Sequence, residues 1–297
     1  MIQGLPEEEL FAPGHRACAG CGAAIAMRHI LKAAGKNVIV VNATGCIEVV
    51  STPYPLTAWR VPYIHVAFEN AAAVASGVVE ALKKQGRKEK VLAIAGDGGT
   101  FDIGFQALSG MIERGHDVCY VCYDNGAYEN TGIQRSGATP KYAWTTTTPV
   151  GKIKHGDERW KKPMPLIVAM HGNCYVATAN IGFPQDLYSK VKKGLLFNGP
   201  AYIQVFTPCV PGWKIPTDMT IDVCKKAYYA KVTPLYEIEN GTLKFTMKPD
   251  KFISVKEYLQ LQGRFKHLTE KEIKEIQQHI DQQWKRLLEM EGKRIFS

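Results

Sequence analysis

The chain has 297 residues, 45% hydrophobic and 22% charged, a balance that suits a globular protein with one large α/β domain and an appendage, or two modest domains. It has no apolar run near the ~18 residues that a membrane-spanning helix needs, which excludes a helical membrane protein. The formal net charge of +9 suits an acidic partner; basic clusters no longer than Lys161-Lys162 and Lys192-Lys193 argue against a nucleic-acid groove.

Taken from the N-terminus, Met1 to Phe11 is acidic and lacks an apolar h-region, so a cytoplasmic protein is expected. A loop holding Cys18-Ala-Gly-Cys21 precedes an Ala/Ile-rich helix from about Ala23 to Lys32, ended near Gly35. Val38 to Asn42 (VIVVN) has the continuous apolar pattern of a strand buried on both faces, and runs into Thr44-Gly45-Cys46. Arg60 and His65 lie near that second loop, where site-lining and structural roles are both open. Ala71 to Lys84 reads as a helix of small residues, and Glu69 at its start as a charge that complements the helix N-terminus. Val91 to Ala95 (VLAIA) is a second buried strand, ending in Gly96-Asp97-Gly98-Gly99. Phe105 to Arg114 is helical and is stopped by Gly115; Val118 to Tyr123 (VCYVCY) is a third strand, ending in Asp124-Asn125-Gly126.

Strand, loop, helix and strand repeated this way predict an α/β fold with a doubly wound, mostly parallel sheet. In such sheets ligands bind beyond the carboxyl ends of the strands. Residues 136–165, rich in threonine and proline, form a loop too long for a plain connection, and loops of that length are usually functional. Regular structure resumes at Leu166 to Ala169; Pro184 to Lys193 predicts a helix, and Ala201 to Phe206 (AYIQVF) a last core strand leading into Thr207-Pro208-Cys209. A composition shift divides the chain into a site-bearing domain, residues 1–230, and a small C-terminal hairpin-plus-helix extension, residues 231–297. Tyr236 to Thr246 alternates around Asn240-Gly241, a hairpin signal. Thr269 and Glu272 form a capping box for a final helix with Ile273, Ile276, Ile280, Trp284 and Leu287 on one face. The extension carries no chemical motif and is expected to serve packing or subunit contact.

Eight cysteines without an export signal point to metal ligation, redox chemistry or burial rather than to disulfides. Cys46 and Cys209 each follow a predicted buried strand. Strand ends on one side of a parallel sheet converge, so these two can meet there and the Cys18/Cys21 loop can join them. Four thiolates suit a structural zinc or a [4Fe-4S] cluster, and one CxxC pair plus two single cysteines does not choose between them. Cys119 and Cys122 repeat the CxxC spacing on a strand, where i and i+3 point to opposite faces. They are expected in the core, with Cys174 and Cys224.

Gly96-Asp97-Gly98 after one buried strand, with Asn125 after the next, is a second constellation. Its glycines would let backbone N–H groups approach a diphosphate, and Asp97 and Asn125 offer the hard oxygens that Mg²⁺ takes. The pair matches the thiamine-diphosphate fingerprint. The segments HRACAGCG, NATGC, AFENAAAVASG, AGDGGTFDIGFQALSGMIERGHD, YDNGAYENTGIQRSGATP, YVATA, GPAYIQ and TPCVPGW resemble the beta subunits of the pyruvate:ferredoxin oxidoreductases, over roughly residues 10–230 and again at QGRFKHL.

The resemblance implies a sheet of the thiamine-diphosphate-binding type, and a [4Fe-4S] cluster on Cys18, Cys21, Cys46 and Cys209. It implies Mg²⁺ on Asp97, the Asn125 side chain and the Ala127 carbonyl, with Gly96, Gly98 and Cys46 also around the cofactor, and Asn130 at the reacting end of thiamine. The reaction implied is coenzyme A-dependent oxidative decarboxylation of pyruvate to acetyl-CoA and CO₂, or its reverse, with single electrons passing through the cluster to ferredoxin. The acid that activates the aminopyrimidine is implied on a partner, an alpha or other subunit, which makes this chain half of an active site. Gly126 departs from the bulkier residue, often Glu, of many relatives. Two alternatives stand beside this reading. One is the same chemistry on oxalate or on a branched-chain, aryl or other 2-oxoacid. The other is a zinc-stabilised non-catalytic scaffold, which would leave Asp97 and Asn125 without a role.

Overall fold

Short apolar runs separated by amphipathic segments give, in a computed structural model that describes residues 4–295, one sheet covered by helices on both faces. In chain order the elements are α1 (Gly22–Ala34), β1 (Val38–Ala43), α2 (Cys46–Ser51), β2 (Tyr63–Val66), α3 (Ala71–Lys84), β3 (Lys90–Gly96), a π-helical turn (Gly99–Ile103), α4 (Phe105–Glu113) and β4 (Val118–Asp124). After a long loop come α5 (Met164–Ala169), β5 (Tyr175–Asn180), α6 (Pro184–Leu196), β6 (Ala201–Phe206), α7 (Val210–Trp213) and α8 (Thr220–Tyr229). The chain closes with β7 (Leu235–Glu239), β8 (Thr242–Met247), α9 (Val255–Leu259), a one-turn 3-10 helix (Gly263–Phe265) and α10 (Glu270–Met290).

The eight strands run in the order β2-β1-β3-β4-β6-β5-β7-β8. The first six are parallel, and β7 and β8 are added antiparallel at the β5 edge. The continuous apolar strands β3 and β4 lie in the middle, as burial on both faces demands. Leu92, Ile94 and Val121 pack with α1 and α6 on one side, and Val91, Ala93, Ala95 and Tyr120 with α3, α4 and α5 on the other. This is the doubly wound fold expected from the sequence. Cys119 and Cys122 are buried on opposite faces of β4, and Cys174 and Cys224 are buried as well.

Two strands were not legible. β2 is a four-residue edge strand, too short to show a period. β5 carries Thr178 and Asn180, whose polarity disguises a buried strand; Thr178 donates to the Pro234 carbonyl (2.7 Å) and Asn180 to the Cys224 carbonyl (2.9 Å). Those bonds remove the cost of burying the two polar side chains.

The hairpin β7–β8 forms around Asn240-Gly241 and extends the sheet, and the Thr269–Glu272 capping box opens α10. Tyr236, Ile238, Leu243, Phe245, Trp284 and Leu287 share a core with the helices over β3 and β4. Tyr258, Leu259, Phe265 and Ile276 pack instead around Val210, Trp213 and Val223. The C-terminal segment is thus clamped to the region that follows β6. Among the described residues no helix is long and apolar enough to cross a membrane.

Candidate functional site

The carboxyl ends of β3 and β4 bring Asp97, Asn125 and Ala127 together. Asp97 is 1% exposed; its Oδ1 accepts from the Asn125 N–H (3.2 Å) and its Oδ2 from the Ser136 hydroxyl. The Asn125 side-chain amide points at Asp97 Oδ1 (2.8 Å) and at the Ala127 carbonyl oxygen (2.9 Å). With its nitrogen toward them, the amide donates two hydrogen bonds. With its oxygen toward them, that oxygen stands from each neighbour at the edge length of an octahedral Mg²⁺ shell, whose ~2.0–2.1 Å bonds set adjacent oxygens about 2.9 Å apart.

The electrostatics favour a cation here. Burial pushes the Asp97 carboxyl well above the usual carboxylate range, and Asp124 adds to the shift; Ser136, Lys161 and the Asn125 N–H only partly oppose it. A divalent ion would relieve both the burial and the repulsion from Asp124, because it neutralises the buried charge directly. The long loop lends its residues to this place. Ser136 bonds Asp97, Lys161 pairs with Asp124, and Lys162 pairs with Asp102 (2.8 Å). Gly98 has a steric reason beyond any approach to a diphosphate, since a Cβ there would fall 2.3 Å from the Tyr128 ring. The Tyr128 hydroxyl in turn donates to Asp102 Oδ2 (3.0 Å).

The cysteines Cys18, Cys21, Cys46 and Cys209 gather along the same edge. Cys18 is exposed and the other three are half-buried. The CxxC loop is fastened to the Cys209 segment: the Gly22 N–H donates to the Pro208 carbonyl (3.2 Å) and the Thr220 hydroxyl to the Gly20 carbonyl (2.6 Å). Burial first, with Cys21, Glu129, Asp97 and Cys18 acting in the same direction, pushes the Cys46 thiol up to about 12. Cys209 is raised by burial first, then by Glu129, with Cys46 and Cys21 also contributing. Cys46 therefore lies in the fields of Cys18, Cys21 and Asp97, and Cys209 in those of Cys21 and Cys46. Among the described residues no three His, Cys, Asp or Glu side chains close on a point that a single metal ion could fill. The quartet has the thiolate donor chemistry that zinc and iron–sulfur clusters both take.

Two residues that the sequence did not mark join this end. Both carboxylate oxygens of Glu129 are buried without a hydrogen-bond partner. Burial raises its pKa to about 7, against the pull of Arg264 and Cys209. Gly212 makes the room, since a Cβ there would lie 2.0 Å from Glu129 Oε2. Arg264, from the C-terminal extension, is 3% exposed; its Nε donates to Gln262 Oε1 (3.0 Å) and its guanidinium carbon lies 3.7 Å from the Trp213 ring centroid. The extension thus packs against the region around Cys209 through Arg264. The sequence signals were faint: an acid in the turn after Ala127, and one arginine in QGRFKHL.

The remaining candidates are more peripheral. Asn130 is exposed on the turn that follows Glu129. Glu69 is half-buried just before α3. His65 Nε2 meets the Thr44 hydroxyl (2.8 Å), and Arg60 donates to the Glu9 carbonyl (3.1 Å), which ties down the N-terminal segment.

Comparison with known proteins adds to this geometry. The family described as thiamine pyrophosphate enzyme, C-terminal TPP binding domain, matches residues 43–205. Pyruvate synthase subunit PorB of Methanocaldococcus jannaschii is 55% identical, over 97% of this chain and 99% of its own length. The subunit of that name from Methanothermobacter thermautotrophicus is also 55% identical, over 93% and 96%. Among solved structures, 2-oxoglutarate:ferredoxin oxidoreductase from Magnetococcus marinus, with 2-oxoglutarate, coenzyme A and succinyl-CoA bound, superposes with a TM-score of 0.57 over 93% of this chain and 99% of that chain. At 20% identity that likeness speaks for the fold.

Proposed function

The chain belongs to the family of pyruvate synthase beta subunits, thiamine-diphosphate enzymes of the 2-oxoacid:ferredoxin oxidoreductase type, and from that premise we propose how its residues divide the work. Asp97, the Asn125 side-chain oxygen and the Ala127 carbonyl hold Mg²⁺ and, with it, the diphosphate of the cofactor. Gly96 and Gly98 keep the loop close to it. The observation that supports this reading is the Asn125 amide head standing 2.8 Å from Asp97 Oδ1 and 2.9 Å from the Ala127 carbonyl oxygen, beside a buried carboxylate. When bound, thiamine diphosphate supplies the electron sink for loss of CO₂ from the 2-oxoacid. Ser136 fixes the second Asp97 oxygen, so that the first is presented to the metal. Asn130, on the exposed turn, would serve the reacting end of thiamine.

Cys18, Cys21, Cys46 and Cys209 hold a [4Fe-4S] cluster, which supplies a one-electron acceptor. The thiols must lose their protons to ligate iron, and the high values at Cys46 and Cys209 make that loss dependent on the metal. Cys46, within the field of Asp97, links the two ends. Glu69 remains a residue of the turn before α3. The carboxylate that activates thiamine is brought by an alpha subunit, so catalysis belongs to the complex. The overall reaction is conversion of pyruvate and coenzyme A to acetyl-CoA and CO₂ with ferredoxin as acceptor, or its reverse, in the cytoplasm. Membership of this enzyme family sets aside the zinc scaffold.

The test is calorimetric titration of Mg²⁺ and thiamine diphosphate into the complete complex carrying Asp97→Ala. Binding is expected to vanish while the iron content stays at the wild-type level. Unchanged cofactor affinity would overturn the site.

A further inference from the structure

Two buried charged side chains beside the four cysteines have no part in the roles assigned above. Arg264 is held at Nε by Gln262 and lies flat on Trp213, yet its Nη2 is buried without a partner. Both Glu129 oxygens are buried with only the weakly donating Cys209 thiol acting on them, and no ion pair within 4.0 Å joins Glu129 to Arg264. A guanidinium stays charged under all ordinary conditions. Burying it without a full counter-charge is costly, and the structure retains it, so something must compensate.

The protein's own groups compensate poorly. Glu129 stands beyond ion-pair contact, and the Tyr258 hydroxyl that also acts on the guanidinium is a dipole rather than a counter-charge. Cys209 opens the turn that carries Trp213, whose backbone N–H donates to the Cys209 carbonyl (2.9 Å), so the guanidinium stacked on Trp213 is held one helical turn from this cysteine. Four thiolates closed around iron form a body of net negative charge, and that body is the missing counter-charge.

We propose that Arg264 is a fixed positive charge that raises the reduction potential of the cluster held by Cys18, Cys21, Cys46 and Cys209. Reduction adds an electron to an already negative group. A neighbouring cation shielded from water favours that added charge far more strongly than an exposed one would. Trp213 fixes the distance. Its ring seats the guanidinium, while its Nε1–H donates to the Asn125 carbonyl (2.7 Å), which ties the cation to the metal-bearing strand end. Arg264 is thus a positioning residue for charge, delivered from the C-terminal extension to an electron acceptor built by the rest of the chain.

The inference rests on the cluster assignment, and the experiment separates the two. The complete complex is prepared anaerobically as wild type, Arg264→Gln, Arg264→Lys and Lys266→Gln, the last a change at an exposed cation of the same segment. Iron content is measured, and the cluster is titrated potentiometrically with detection by electron paramagnetic resonance. Arg264→Gln is expected to shift the oxidised-to-reduced ratio at fixed potential at least tenfold toward the oxidised form, which is ~59 mV for a one-electron couple. Arg264→Lys, which keeps the sign of the charge, and Lys266→Gln, which alters a solvent-screened one, should each shift it less than threefold. An iron-loaded Arg264→Gln with an unmoved midpoint overturns the role of Arg264. A tenfold shift in iron-loaded Arg264→Lys also overturns it, and this arm decides the matter should Arg264→Gln fail to assemble. A wild-type complex without iron in this chain removes the cluster assignment itself.

Discussion

At the ends of β3 and β4, Asp97, Asn125 and Ala127 come from two neighbouring strands, and all three are buried. Further along the same edge, Cys18, Cys21, Cys46 and Cys209 come from three separate segments, and their sulfurs are exposed or half-buried and mutually repulsive once ionised. The oxygen end is set by the parallel register that places Gly96 opposite Tyr123, so it is shaped before any ligand arrives. The sulfur end is assembled by docking the CxxC loop against the Pro208 carbonyl, and in the proposed assignment iron would bring the thiols into order. The two ends should therefore fail separately.

The largest effect expected is all-or-none. Cys46→Ala and Cys209→Ala should lose their iron when prepared anaerobically. Cys119→Ala and Cys224→Ala should keep it, because those side chains are locked in the core. A full iron complement in Cys46→Ala would dissolve the contrast between the two sets of cysteines.

Next comes the support of the oxygen end. Ser136→Ala removes the hydroxyl that orients Asp97 and should weaken cofactor binding roughly 10–100-fold, the usual cost of losing a partner of a metal ligand. Iron should be untouched. Calorimetry that finds the wild-type affinity would mean that Asp97 is held without Ser136.

A smaller steric effect is expected at Gly98. Gly98→Ala sets a Cβ 2.3 Å from the Tyr128 ring and should cost about 1–3 kcal/mol of stability by overpacking. Adding Tyr128→Leu should return part of that loss in denaturant melts; strict additivity of the two changes would rule out the clash.

The smallest effect concerns acid and the sulfur end. His29 lies on α1, the helix that starts just after Cys21, and burial holds its pKa down at about 4 from an ordinary 6.5, with Arg28 and Lys32 acting the same way. The folded chain keeps the ring neutral where the unfolded chain binds a proton. Its contribution to stability is whole above about pH 6.5 and is lost as the pH falls toward 4. His29→Leu should flatten that loss across the window in urea titrations. Parallel pH profiles for the variant and the wild type would show that His29 does not carry it.

Much of this was written in short stretches of chain. Apolar runs of strand length alternating with amphipathic segments determined the doubly wound core. Glycine, Asp97 and Asn125 after two such runs marked the oxygen end. Strand periodicity assigned Cys119 and Cys122 to opposite faces of β4, where the structure has them. Period and turn chemistry are local properties, so a single sequence can express them. Tertiary structure alone decided which distant segments complete the site: Ser136 reaches Asp97 across 39 positions, and Thr220 holds the Gly20 carbonyl across 200. It also turned Glu129 inward beside Gly212 and brought Arg264 from the C-terminal extension onto Trp213. No local pattern announces such contacts, because each arises from the packing of surfaces that meet only after the sheet has formed.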